Sequence, residues 1–95
     1  IVRSNLGGVL RELGNLAGAR EQFERALEIS QAALGPNHPD VGTGRSNLGG
    51  VLRELGNLAG AREQFERALE ISEAALGPDH PTVGIYRNNL DRVLY

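Results

Sequence analysis

Apolar residues recur along this chain at helical spacing. Leu6, Val9, Leu10 and Leu13 stand at i, i+3, i+4 and i+7, which predicts a helix with one apolar stripe. Gly14-Asn15 interrupts the pattern, and the asparagine suits the N-cap of a following helix. Leu16, Ala19, Phe23, Ala26, Leu27, Ser30 and Leu34 then carry the period to Gly35-Pro36, a glycine-then-proline helix stop. Pro39 presets the first turn of the next helix, and Asp40 sits against the positive end of its dipole. The same punctuation returns further on, which predicts five helices near 1–13, 16–34, 39–55, 58–76 and 81–95. Links this short predict antiparallel packing of successive helices.

The pattern repeats because the sequence does. Shifted by 42 positions, Arg3–Ser30 falls on Arg45–Ser72 without a mismatch, and between 1–42 and 43–84 only positions 1, 2, 31, 37 and 40 differ. A third copy begins at residue 85, where Asn89, Leu90, Val93 and Leu94 match Asn47, Leu48, Val51 and Leu52. A fixed period in this range predicts an all-α solenoid, in which each unit buries its apolar face on its neighbours. The chain then holds about two and a third repeats in one domain: 1–40, 41–82, and a capping helix over 83–95. In that last segment Asp91-Arg92 replaces the glycine pairs Gly7-Gly8 and Gly49-Gly50. A charge at the first glycine position is tolerable only where no paired second helix covers it, hence a cap.

The glycine pairs lie inside helices, at about 1 kcal/mol each relative to alanine. Close approach of helix backbones at Gly7 and Gly49 is the expected compensation. On the second helix of each unit, Arg20 and Glu24, Glu21 and Arg25, and their copies Arg62–Glu66 and Glu63–Arg67 are set for i,i+4 pairing on a solvated face. Because the first helix opens the chain inside a repeat, its stripe should be left uncovered, favouring self-association through exposed repeat ends.

Composition narrows the chemistry. Aromatic residues are few, so the core must be leucine, valine and alanine. A net charge of −2 with both signs interspersed argues against nucleic acid or an anionic membrane as general partner. There is no cysteine for disulfide or thiol chemistry, no long apolar run and no signal peptide, so the default location is the cytoplasm. A chain without methionine that opens inside a repeat reads as a section of a longer protein.

These residues resemble a tetratricopeptide repeat. Arg3, Leu6-Gly7, Leu10, Ala19 and Phe23 follow the family spacing, with arginine in place of its tryptophan, leucine in place of its tyrosine, and proline displaced to Pro36. The 42-residue unit exceeds the usual 34. Its link Ala33-Leu34-Gly35-Pro36-Asn37-His38-Pro39-Asp40-Val41, copied at 75–83, and its Ser-Asn-Leu-Gly segment are similar to the kinesin-light-chain type and to related bacterial arrays. The resemblance implies a right-handed superhelix of antiparallel helix pairs whose first helices line a concave surface that holds a protein or peptide partner. It also leaves open a structural or self-assembling spacer, and the sensor array of a larger multidomain signalling ATPase.

By that resemblance the concave face carries Ser4, Asn5 and Arg11 from the first unit, Ser46, Asn47 and Arg53 from the second, and Asn88, Asn89 and Arg92 from the third. Gly8, Glu12, Thr43, Gly50 and Glu54 accompany them, as Tyr95 would at the end of the row. Asparagine amides can donate to and accept from a peptide backbone, and arginine can fork a carboxylate. A complete carboxylate clamp is not expected, since lysine is absent.

No catalytic, cofactor or metal site is expected. His38 and His80 lie one repeat apart rather than on one helical turn, and read as structural residues of the links. Gly42-x-Gly44 lacks the strand and lysine of a phosphate loop. Glu12 and Glu54 are one carboxylate copied once, whereas acid–base catalysis needs two groups converging in a pocket.

Overall fold

The computed structural model describes residues 2–94, with side chains from residue 6 onward. It contains α1 (Val2–Glu12), α2 (Leu16–Leu34), α3 (Pro39–Glu54), α4 (Leu58–Leu76) and α5 (Pro81–Leu94), with no strand among the described residues. Each helix packs on the next along the chain, and the molecule measures 34 × 34 × 19 Å. A thickness of 19 Å is two helix diameters, so first helices form one layer and second helices the other. This is the all-α helical solenoid expected from the period.

The ends of the helices are set by side chains close in sequence. The Asn15 side chain accepts from the Gly18 amide at 3.0 Å, and Asn57 accepts from Gly60 at 2.9 Å. His38 caps α3: its Nδ1 accepts from the Asp40 amide at 3.0 Å, and His80 does the same for Thr82 at 3.1 Å. This bond needs the ring proton on Nε2, and it gives both link histidines a structural task. Gly35 and Gly77 close the second helices with φ of 88°, a conformation that disfavours a side chain.

The core runs through the middle of the stack. Ala19, Phe23, Leu27, Val41, Leu48, Val51, Leu52, Ala61, Phe65 and Ile71 form one buried cluster, against which Leu10, Leu16, Leu90 and Val93 pack. Gly7 and Gly49 do mark tight approaches, but the expected contact of backbone on backbone is corrected. A phenylalanine ring of the paired second helix rests on each glycine: a Cβ at Gly7 would come 2.8 Å from Phe23 Cε1, and one at Gly49 2.8 Å from Phe65 Cε1. The aromatic ring uses the space that any side chain there would fill.

Charges follow the surface. All four expected i,i+4 pairs on α2 and α4 form, at 3.3–4.0 Å, and all are exposed. Arg45, at the position where the family has tryptophan, is half-buried and donates to Gln64 at 3.0 Å. Burial first, and then the neighbouring Arg67, lower its pKa, against the opposing pull of Glu63. One of the five differences between the units, Glu73 for Gln31, lets α4 pair with Arg87 of α5 at 3.7 Å. Leu6 and Val9 of α1 are exposed, as expected for an uncovered first helix.

Candidate protein-binding trough

The first helices α1, α3 and α5 lie side by side in one layer, and their outward polar positions line a trough. One part, a cavity of about 720 Å³, is bordered by Gly8, Val9, Arg11, Glu12, Asn47 and Glu54, with Phe23 behind it. The second part, about 240 Å³, is bordered by Arg11, Ser46, Asn47, Arg53, Asn89 and Arg92 over a floor at Gly50 and Phe65. Arg11 and Asn47 border both parts, so the two adjoin along the layer from α1 to α5.

Helical spacing explains the grouping. Ser46, Asn47, Gly50 and Arg53 fall at i, i+1, i+4 and i+7 of α3, on one face. Six of the nine residues expected to form a concave face therefore come together: Arg11, Ser46, Asn47, Arg53, Asn89 and Arg92. Asn88 is exposed on α5 and borders neither part. Thr43 lies apart from both, receiving a hydrogen bond from the Tyr86 hydroxyl at 3.4 Å. The side chains of Ser4 and Asn5, and Tyr95, lie outside the described residues.

The arginines are not equivalent. Arg11 donates to Glu54 and forms an ion pair with it across the two first helices. Gly50 leaves room beneath that bridge: a Cβ there would come 3.0 Å from an Arg11 guanidinium nitrogen, which would have to shift slightly. At the next rung the geometry changes: Arg92 occupies the repeat position of Gly50, and neither Arg53 nor Arg92 has an ion-pair partner among the described residues. The amides of Asn47 and Asn89 have no hydrogen-bond partner among them either.

Sequence reasoning placed Arg11 and Glu54 on this face but missed that they satisfy each other. Their separation of 43, one repeat plus one residue, was the available signal. It also missed the two phenylalanines, buried behind the trough wall and floor.

The tetratricopeptide repeat family model matches residues 1–74 and again 40–95. The chain belongs to the tetratricopeptide repeat family. Such repeats generally mediate protein–protein interaction and are non-catalytic as a family. No curated protein matches the chain. Among the described residues, no helix of this repeat protein is long and apolar enough to cross a membrane.

Proposed function

We propose that the chain binds an extended segment of another protein along the trough, as a scaffold rather than an enzyme. Asn47 and Asn89 hydrogen-bond the partner's backbone, and Arg53 with Arg92 holds a carboxylate. The carrying observation is that Arg11, Ser46, Asn47, Arg53, Asn89 and Arg92 border one depression on the first-helix layer, with the Asn47 and Asn89 amides unbonded among the described residues. Guanidinium and carboxylate pair in a fork that fixes orientation as well as charge. The link sequence and 42-residue unit support placing the chain with the kinesin-light-chain type found in bacterial arrays, working in the cytoplasm.

The test is a titration against a displayed peptide library, read by fluorescence anisotropy on the enriched peptides. Acid-bearing peptides are expected to enrich, and Asn47→Ala with Arg53→Ala should abolish their binding. Arg20→Ala, on the exposed face of α2, should leave it unchanged. Peptides that bind the double variant as well as the wild type would refute the trough as the site.

A second reading is favoured by the uncovered apolar residues Leu6 and Val9, whose copies Leu48 and Val51 are buried: copies of the chain associate through their repeat ends. The sensor array of a signalling ATPase remains compatible with either, since a repeat scaffold takes its larger role from the domains joined to it.

A further inference from the structure

We propose that α5 occupies a seat that α1 of a second copy can take, so that copies join head to tail with α1 of one lying on α3–α4 of the other. This rests on the reading that repeat ends associate, and assigns the contact. Residues 85–94 of α5 hold the repeat positions of 1–10, so Leu90, Val93 and Leu94 stand where α1 has Leu6, Val9 and Leu10. The chain already shows what α1's sequence does in such a seat. Arg45–Glu54 of α3 repeats Arg3–Glu12, and there Leu48 and Val51 are buried in the common core with Phe23 and Leu27 of α2. The acceptor is duplicated too, since α4 differs from α2 only in Glu73 for Gln31. Residues 3–12 of the donor and α4 of the acceptor are therefore copies of parts of α3 and α2, which pack on each other within the molecule.

Charge fits the same arrangement. A second copy's α1 brings Gly8 to the place of Arg92 and Glu12 to the side of Arg53, reproducing the bridge that Arg11 makes over Gly50 to Glu54. The reverse exchange, α5 replacing α1 beside α2, is blocked. Asp91 would stand at the position of Gly7, where a Cβ alone meets the Phe23 ring at 2.8 Å. The contact is consequently heterologous: each copy donates α1 and accepts on α3–α4, which generates open chains unless the rotation closes a ring.

In a single copy α5 holds the seat. Val83 and Tyr86 are buried, the Tyr86 hydroxyl reaches Thr43, and Arg87 pairs with Glu73. Its tether gives it a high effective concentration, so association grows with protein concentration and with loosening of α5.

Sedimentation velocity over a concentration series of the 95-residue chain tests this. The wild type is expected to gain mass with concentration, and Tyr86→Ala to raise the association constant on the order of tenfold by freeing more seats. Val9→Glu, a substitution at an exposed position, is expected to remove association in both backgrounds. Should Tyr86→Ala lose helicity by circular dichroism, charge reversal decides. Arg53→Glu and Glu12→Arg each weaken association, and an equimolar mixture of the two recovers it. Association that survives Val9→Glu, or no recovery on mixing, overturns the α1 seat while self-association stands. A concentration-independent monomer mass for the folded wild type and Tyr86→Ala overturns both.

Discussion

The hairpins α1–α2 and α3–α4 have almost the same sequence and different surroundings, and their differences separate two kinds of contact. Ala19 and Ala61 are both fully buried, and Phe23 and Phe65 are buried alike, because these residues are covered by their own hairpin partner. Along the outer stripe the copies part. Leu6 is 46% exposed and Leu48 4%; Val9 is 51% exposed and Val51 0%. The same side chains thus belong to the surface in one copy and the core in the other. What a hairpin specifies for itself is the phenylalanine–glycine contact; burial of its leucine–valine stripe comes from a neighbour, as nearest-neighbour stability in a repeat array requires.

The largest effect should fall where the copies agree. Phe65→Ala is expected to destabilise by about 3–5 kcal/mol, and Phe23→Ala by a similar amount, measured by urea unfolding at constant m-value. A Phe23→Ala cost below half that of Phe65→Ala would show that the contact is not a property of the hairpin. Where the copies differ, the effects should split. Leu48→Ala should cost about 2–5 kcal/mol, and Leu6→Ala, at an exposed site, no more than about 0.5 kcal/mol. Equal losses in chemical denaturation of dilute samples would erase the distinction between self-specified and neighbour-specified contacts.

The glycines offer a finer division. Gly49→Ala must displace the Phe65 ring and should cost about 1–3 kcal/mol despite alanine's better helix propensity. Gly8→Ala meets nothing within 4 Å and should stabilise by up to ~1 kcal/mol. Thermal midpoints moving in the same direction for both would contradict the packing. Gly50→Ala should fall between them, since the atoms it meets are the mobile end of Arg11. The smallest term is the Arg11–Glu54 bridge. Its side chains are about one third exposed, so a double-mutant cycle should give roughly 0.2–1 kcal/mol, shrinking as salt rises. A coupling that is indifferent to salt would mean the pair is more deeply sequestered than its exposure indicates.

Most of the fold was legible because the signals are local. Asn15, Gly35-Pro36 and Pro39 act within a few residues, so helix boundaries came within one or two positions. The layer that bears the trough came from the family resemblance, with helical spacing placing Ser46, Gly50 and Arg53 on one face. Harder to read were contacts whose partners sit on different first helices. Arg11 meeting Glu54 depends on the stagger between successive units, and the hydroxyl of Tyr86 meeting Thr43 depends on where α5 begins relative to α3. Neither offset is encoded in the spacing of apolar residues within one helix. The histidine caps were half legible: the link role was evident, but not the use of Nδ1 as acceptor.

The asparagines of the trough make a ruler. Asn47 and Asn89 are one repeat apart on α3 and α5, which touch, and touching helices stand about 8–10 Å apart axis to axis. A polypeptide in extended form advances roughly 3.3 Å per residue. A strand laid along the trough would therefore meet one asparagine about every third residue, and each further 42-residue unit would lengthen the legible stretch by one triplet.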